Sequence, residues 1–453
     1  MKYHYIHQLP NNRLWSVCLI GVATVFFMIT GCAQEEVAEP FEPRASHAAY
    51  IEGLEQMDMA DTALGGQWID ASKDVLAEPM QIELPFREQL FFDPAAPDAA
   101  GYAFEGRRGR SIRISISFNQ PSEQRMFVDL FRVEDGNEKL VHIVSYDREQ
   151  NSLVFEPQRD NLYLLRLQPE LLRGGRYTLS IEENPALAFP VEGKGMRDVL
   201  SFFGDSRDGG RRQHEGVDIF ATRGTPVLSV SAGTVRRVGT RELGGKIVFV
   251  RDEKRGLNYY YAHLDEQYAE RGQTVSPGDL LGAVGNTGNA ITTPPHLHFG
   301  IYADRWRALD PWNYLEPGAG PPALLPGDEY PLESHMRTAR EIGTVLGDDL
   351  PTGTVVRIIA AGTEGLRVRV PGHQGLSQII ELAYEDIELL EQPLEAVGPL
   401  RMAENTYLYS APAPHGEAVA ELSNTAGMTL LGVNGSFYYV ETETGQRGWL
   451  PQG

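Results

Sequence analysis

Short runs of alternating apolar and polar residues fill the chain from Met80 to Asn184. Alternation with a period of two places one apolar face on each strand. Turn residues separate the runs at intervals that are typical of an all-β sandwich. The runs are SIRISISF, MFVDLFRV, LVHIVSY, LYLLRLQ and RYTLSIEE. The pattern therefore predicts a β-sandwich over residues 80–185.

A second β-rich region follows, again divided by Gly and Pro turns. The runs KIVFVRD and LNYYYAHL are separated by Glu253 to Gly256, a spacing that predicts a β-hairpin. VSPGDLLGAVG indicates a turn followed by a strand, and no helix of ordinary length is evident. We expect an antiparallel β-sheet domain over residues 189–317.

The last part of the chain repeats one order of strands and turns. GTVVRIIAAGTEGLRVRVPGHQGL matches GMTLLGVNGSFYYVETETGQRGWL in this order. Both copies resemble bacterial SH3-like barrels, which commonly bind cell-wall peptides; spacer barrels without a ligand are the alternative. The predicted barrels cover residues 337–393 and 397–453. The predicted fold class is accordingly mostly β and multidomain.

Residues 32–79 predict a tether and a helical spacer. The stretch AQEEVAEPFEP is acidic and contains proline, as flexible tethers do. Helical spacing begins near His47, and Ile51 and Leu54 lie on one side. We expect Gly65-Gly66 to divide the helical region into two pieces.

The first 31 residues predict a signal peptide. Leu14 to Thr30 is apolar and uncharged, and it ends in Ile29-Thr30-Gly31-Cys32, which resembles the lipobox of bacterial lipoproteins. The resemblance implies cleavage before Cys32, lipidation of its thiol and a membrane anchor there. Because Ala33 is not Asp, it also implies sorting to the outer membrane, facing the periplasm. An uncleaved N-terminal anchor is the alternative.

The net charge and the cysteine content limit the partners and the disulfide bonds that can be expected. The formal charge is -22 and the pI is about 5.0, which argues against nucleic acid or an anionic membrane surface as partner. The two cysteines are Cys18, inside the predicted signal, and Cys32. No disulfide is therefore expected.

Candidate chemistry is concentrated in residues 189–317. His296 and His298 are two apart and share one face of a strand. His214 and Asp218 are four apart in a segment that favours an extended chain, so they also share a face. A catalytic zinc site needs three protein ligands and an open position. His214, Asp218 and one of the two neighbouring histidines meet this count. The other histidine and His263 remain as metal-free bases.

The same region resembles the lysostaphin/LytM-type zinc endopeptidases between about Gly195 and Leu315. The matching segments, in the family's order, are SFFGDSRDGGRRQHEGVDIFATRGTPVLSVSAGTV, YYAHL, VSPGDLLGAVGNTGNA, PPHLHFGIY and DPWNYL. The β-sandwich likewise resembles the pre-peptidase domains of secreted bacterial hydrolases. The resemblance implies a central metallopeptidase domain of LytM type with one zinc ion.

The resemblance also assigns roles to five residues. It implies that His214, Asp218 and His298 bind zinc, and that His263 and His296 are the catalytic pair. One of this pair would act as the general base and the other would stabilise the oxyanion; the sequence does not assign the two roles.

Two features near these five residues bear on the shape of a substrate groove. Thr293-Pro294-Pro295 departs from the family pattern, where a Gly is frequent, and this could reshape a substrate subsite. Tyr259 and Tyr261 are candidates for lining a substrate groove. A buried aromatic strand explains both tyrosines equally well.

The sequence thus predicts a zinc-dependent murein endopeptidase. Its expected partner is peptidoglycan, and we expect D-alanyl–diaminopimelate bridges rather than glycine bridges as substrates. One alternative is a non-enzymatic regulator that activates cell-wall amidases, as do relatives that have lost metal ligands. A second alternative is a wall-binding scaffold. Neither accounts for the complete set of five residues. The sequence does not identify protein partners.

Overall fold

The computed structural model describes most of the chain from Ser46 onward. The described residues are 46–118, 126–134, 139–146, 152–325, 330–343, 349–371, 378–391, 393–394, 406–413, 416–422 and 428–452. Strands dominate these residues, which confirms the mostly-β prediction. Within them, no helix combines the length and apolarity that crossing a membrane requires. The predicted signal peptide and Cys32 lie outside the described residues.

Two helices, His47–Gln56 (α1) and Ala63–Ala77 (α2), precede the strands. The expected break at Gly65-Gly66 is wrong, because both glycines lie inside α2. The helix begins after Thr62, whose Oγ1 accepts a hydrogen bond from the Gly65 backbone N–H at 3.1 Å. A Cβ at Gly65 would lie 2.0 Å from the Met59 carbonyl oxygen. Gly65 therefore permits a close backbone approach at the helix start.

Nine strands follow the helices and form two sheets that share one core. The first sheet has the order β1-β3-β8-β5-β6, and β2-β9-β4-β7 form part of the second. Tyr102 and Leu165 of one sheet and Ile114 and Tyr177 of the other are buried in the same cluster. The strands are β1 Met80–Gln81, β2 Phe86–Phe92, β3 Ala100–Gly106, β4 Arg110–Phe118, β5 Met126–Glu134, β6 Lys139–Ser145, β7 Ser152–Phe155, β8 Asn161–Pro169 and β9 Gly175–Pro185.

The next unit is built on an antiparallel sheet with the order β10-β13-β21-β17-β16-β15-β19, to which β22 adds at β21. The predicted hairpin is confirmed, since β16 and β17 pair antiparallel. The elements are β10 Val199–Ser201, β11 Ser206–Arg207, β12 Arg212–Gln213, β13 Val217–Phe220, β14 Pro226–Leu228, β15 Gly233–Arg241, β16 Gly245–Asp252, β17 Leu257–Leu264, β18 Glu266–Gln267, β19 Thr274–Val275, β20 Leu280–Ala283, β21 His296–Tyr302, β22 Ala308–Leu309 and the short helix α3 Trp312–Leu315.

Alternation gives this sheet two different faces. One face carries the apolar core, including Val217, Tyr261 and Phe299. The opposite face carries Asp218 on β13 directly across from His298 on β21. One side of the sheet thus supplies stability while the other is available for chemistry.

Ion pairs fix this unit against the sandwich. The Arg255 guanidinium donates to both carboxylate oxygens of Glu156, at 2.6 and 2.7 Å, and to Asp252 at 2.8 Å. Arg110, almost fully buried, donates to the Glu316 carboxylate at 2.8 Å. Paired guanidinium–carboxylate contacts constrain orientation as well as distance, so the sheet has a defined position beside the sandwich.

The remaining strands form a continuation of the second sandwich sheet and a separate five-stranded sheet. β24 pairs with β2, so the sheet runs β26-β25-β24-β2-β9-β4-β7. The strands β29-β28-β32-β31-β30 form the separate sheet, and its Leu431 and Phe437 share a core cluster with Val355 of β24. The limits of the six predicted domains stay predictions. The SH3-like character of residues 337–393 and 397–453 also stays a prediction. The strands are β23 His335–Thr338, β24 Val355–Gly362, β25 Gly365–Val370, β26 Gln378–Ala383, β27 Ile387–Leu389, β28 Thr406–Tyr409, β29 Ala418–Leu422, β30 Met428–Asn434, β31 Phe437–Thr442 and β32 Arg447–Pro451.

Candidate metal centre

Three side chains bring one donor atom each to a single point on the open face of the central sheet. The donors are His214 Nε2, Asp218 Oδ1 and His298 Nδ1. His214 Nε2 lies 2.9 Å from His298 Nδ1 and 3.0 Å from Asp218 Oδ1, and the latter two atoms are 3.0 Å apart. Three donors this close, with two imidazoles and one carboxylate, form a candidate metal centre.

Strand pairing and one glycine create this convergence. Asp218 and His298 face each other across the β13–β21 pair. His214 lies just before β13, and Gly216 lies between them in the chain. A Cβ at Gly216 would lie 2.4 Å from the Phe299 carbonyl oxygen and 2.9 Å from His298 Cε1. Any larger residue at 216 would displace the His298 ring.

Further contacts orient the donors. His214 Nδ1–H donates to the Phe202 carbonyl oxygen at 2.8 Å, which leaves the Nε2 lone pair for a metal. Arg207 Nη2 donates to Asp218 Oδ2 at 3.1 Å, which leaves Oδ1 for the same purpose. Burial by itself raises the pKa of Asp218, but hydrogen bonds with His214 and His298 hold that pKa well below its usual range.

The donor set fits zinc. Imidazole nitrogen and carboxylate oxygen are both zinc ligands, with bonds of about 2.0–2.2 Å in tetrahedral geometry. Donors at the corners of such a tetrahedron are about 3.3 Å apart, close to the separations of 2.9–3.0 Å found here. Three protein donors leave a fourth position open, as catalytic zinc sites require.

His263 reaches the same face through an irregularity in β17. By alternation it would point with Tyr259 and Tyr261 into the core. The β16–β17 register shifts between Lys246 and Val248, and His263 has a φ of 62°. The extra residue and the left-handed backbone turn the imidazole into the cavity.

The protonation of His263 follows from its surroundings. His263 Nδ1–H donates to the Thr287 carbonyl oxygen at 2.8 Å. Burial, reinforced by the nearby His298, lowers the pKa of His263 to about 4. The ring is therefore neutral near pH 7 and presents an unprotonated Nε2.

His296 lies beside His263 on the same face, with 5.1 Å between the ring centroids. Its Nδ1–H donates to the Pro294 carbonyl oxygen at 2.9 Å, and its ring stacks on Phe220 at 5.0 Å. The unusual proline pair before His296 thus supplies the acceptor that orients the imidazole. Neither His263 nor His296 belongs to the group of three donors.

A cavity of about 1210 Å³ opens over these five residues. Its wall includes Tyr260, whereas Tyr259 and Tyr261 are fully buried at 0% exposure. The prediction that Tyr259 and Tyr261 line a groove is therefore wrong. Both belong to the core face, and the Tyr259 hydroxyl donates to Asp252 at 3.1 Å.

The site residues named from the sequence do not include Tyr260 and Arg207, and both line the cavity. Tyr260 shares the parity of Ala262, which pairs with His298, so the alternation of β17 already contained the signal. Arg207 gave no such signal, because its contact with Asp218 depends on the fold of residues 199–213.

The antiparallel sheet and the His–Asp–His donor set define the class of this unit as a metallohydrolase-type domain. Residues 212–311 match the sequence profile of peptidase family M23, whose members are zinc metallopeptidases. The chain therefore contains an M23 peptidase domain with lysostaphin-like relatives.

Three relatives illustrate the similarity. An L-Ala–D-Glu endopeptidase of Bacillus subtilis is 40% identical over 28% of this chain and 42% of its own length. The peptidoglycan DD-endopeptidase ShyC of Vibrio cholerae is 27% identical over 28% of this chain and 32% of its own. The solved catalytic domain of lysostaphin from Staphylococcus simulans is 30% identical over 25% of this chain and 87% of that domain, with a TM-score of 0.23. The match spans less than half of each curated relative.

Proposed function

We propose that this chain is a zinc-dependent endopeptidase that hydrolyses peptide cross-links of peptidoglycan. The observation that carries the proposal is the arrangement of the cavity. Three metal donors converge at one point, and two histidines outside this group lie beside them. A wall-binding scaffold does not require this combination of residues.

The proposed chemistry divides the five residues into two groups. His214, Asp218 and His298 would hold zinc, which lowers the pKa of a bound water to about 7 and polarises a carbonyl group. His263 and His296 each use Nδ1–H for a backbone carbonyl, so Nε2 is free for the reaction. One of them takes the proton of the attacking water and passes it to the leaving nitrogen. The other would stabilise the oxyanion by hydrogen bonding.

D-alanyl–diaminopimelate bridges are the proposed substrate. The similarity to relatives named as an L-Ala–D-Glu endopeptidase and a DD-endopeptidase supports a bond between residues of the stem peptides. A chain anchored in an outer membrane would meet this type of cross-link, whereas glycine bridges are the weaker option.

Digestion of purified peptidoglycan tests the proposed activity. The zinc-loaded full chain in detergent should convert cross-linked muropeptide dimers into monomers, identified by mass spectrometry. Asp218→Asn should release none, because the amide is a poor zinc ligand. If the wild type leaves dimers intact but stimulates a cell-wall amidase, the regulator alternative replaces the enzyme.

We also propose that Cys32 is lipidated and that it anchors the chain in the outer membrane, facing the periplasm. The supporting observation is Ile29-Thr30-Gly31-Cys32 after an uncharged apolar run. Cys32→Ser should leave an unprocessed, unlipidated precursor, whereas Cys18→Ser should be processed normally. Mass spectrometry of the N-terminus distinguishes the two results. A mature wild-type chain that begins elsewhere, or with an unmodified Cys32, contradicts the anchor.

A further inference from the structure

An aromatic surface leads away from the metal donors along the open face of the sheet. The Tyr260 ring lies 5.7 Å from the His298 ring and stacks on Phe249 at 4.5 Å. Trp306 contacts Phe249 edge-on at 5.6 Å and is 62% exposed. The surface crosses β21, β17 and β16 and ends at β15. An extended peptide substrate that lies along this surface would have several of its residues between the cleaved bond and β15.

Two arginines stand at the far end of this surface. Arg237 on β15 pairs directly with Phe249 on β16. The Arg241 guanidinium lies 5.6 Å from the Phe249 ring centroid and lines the cavity. Both arginines are exposed, and neither forms an ion pair with another described residue. Arg236, by contrast, is the extra residue at the bulge in β15 and forms an ion pair with Glu253.

Tyr260 lies between the metal donors and Arg241 along this surface. Its ring stacks on Phe249, and the Arg241 guanidinium lies 5.6 Å from the centroid of the Phe249 ring. Tyr260 and Arg241 both line the cavity that holds the donors. Gly244 makes room for the Tyr260 hydroxyl, since a Cβ there would lie 2.0 Å from the Tyr260 oxygen.

The acidic side chains of the cavity do not cancel this positive end. Glu215 accepts a hydrogen bond from the Tyr302 hydroxyl at 3.3 Å. Its carboxylate is therefore engaged by a residue of β21. Glu242 also lines the cavity, but it forms no ion pair with Arg241 among the residues that the structure describes. In a chain with 62 acidic and 40 basic residues, two neighbouring arginines without carboxylate partners indicate an anionic ligand.

We propose that Arg241, assisted by Arg237 and the Tyr260 hydroxyl, binds a carboxylate of the substrate peptide a few residues from the cleaved bond. Three successive ring contacts separate His298 from Arg241, and an extended peptide advances about 3.3–3.6 Å per residue. The site therefore selects acidic cross-linked peptides, in which D-glutamyl and diaminopimelyl residues carry free carboxylates. Amidated peptides and glycine bridges lack these groups. The inference rests on the proposed endopeptidase function.

The position of the subsite determines which kinetic parameter it affects. A charge-assisted contact between guanidinium and carboxylate is among the stronger hydrogen bonds in proteins. Because Arg241 is remote from the reacting atoms, it binds ground state and transition state alike. Its loss should raise KM and leave kcat nearly unchanged. The expected loss in kcat/KM is roughly ten- to hundredfold.

Matched substrates and variants test the subsite. The zinc-loaded full chain is given a cross-linked muropeptide dimer with free carboxylates and the same dimer with those carboxylates amidated. Wild type should prefer the free form, and Arg241→Gln should lose that preference through KM. The double variant with Arg237→Gln should lose more. Arg236→Gln is the control, because this residue lies on the same strand but already pairs with Glu253 and does not line the cavity, and it should behave as wild type.

The possible outcomes distinguish a failure of the proposed subsite from a failure of the proposed endopeptidase activity. If wild type and Arg241→Gln cleave both dimers with equal kcat/KM, the subsite is wrong and the endopeptidase function stands. A fall in kcat alone would place Arg241 at the reaction rather than at a remote carboxylate. If the wild type cleaves neither dimer, the proposed function itself fails.

Discussion

Replacing His298 with alanine should remove zinc and activity together, whereas His296→Ala should keep the zinc and lose most of the rate. His298 Nδ1 is one of only three donors in the described centre, and two remaining donors hold zinc poorly. A metal bound only by the folded state adds to stability, so His298→Ala should also unfold at a lower temperature. His296 lies outside the donor group, and loss of such a base or oxyanion donor costs about a hundredfold to ten-thousandfold in rate.

Metal content by elemental analysis, measured beside muropeptide release, distinguishes the two histidines. The expected pattern is one zinc per chain in wild type and in His296→Ala, and little zinc in His298→Ala. Equal zinc loss in both variants, or full zinc retention in His298→Ala, would overturn this division. The assignment of roles would then have to be drawn anew among the histidines of the cavity.

Replacing Arg367 with methionine should cost about 3–5 kcal/mol in the free energy of unfolding. Arg367 on β25 donates to both carboxylate oxygens of Glu88 on β2, and the Tyr102 hydroxyl completes the network. Only 2% of the Glu88 side chain and 14% of the Arg367 side chain are exposed. Removing the guanidinium leaves a buried carboxylate without its countercharge, and this desolvated charge produces the large effect.

Denaturant unfolding of the full chain measures this effect. Combining Arg367→Met with Glu88→Gln should recover most of the loss, because no buried charge then remains. Arg236→Met serves as the control and should change little, since Arg236 and Glu253 form an exposed pair. If Arg367→Met is no more destabilising than the control, the contact between β25 and β2 is not an anchor of the sheet.

Regular alternation explains how far the fold could be predicted. The runs KIVFVRD and LNYYYAHL became β16 and β17 because two-residue periodicity and a turn suffice to specify a local hairpin. The helix break was misplaced because Gly65 serves a close approach to Met59, a contact that propensity does not contain. The pairing of β24 with β2 joins segments far apart in the chain, and no local pattern encodes such a partner.

The candidate site shows the same division between local and distant information. The two-residue spacing of His296 and His298 placed both on one face, and both side chains line the cavity. The tyrosine prediction failed because the parity of β17 has meaning only after its register with β21 is known. Once Ala262 is opposite His298, Tyr260 must face the cavity and Tyr259 and Tyr261 the core.

The sequence by itself determined the mostly-β character and the residues that could bind a metal, because both depend on residue type and short spacing. Only the tertiary structure decided that His214, Asp218 and His298 meet at 2.9–3.0 Å, since this needs the β13–β21 pairing and the space at Gly216. It alone turned His263 into the cavity, through the bulge and the positive φ in β17. Register and close backbone approach arise between distant segments, so they exist only once the sheet has formed.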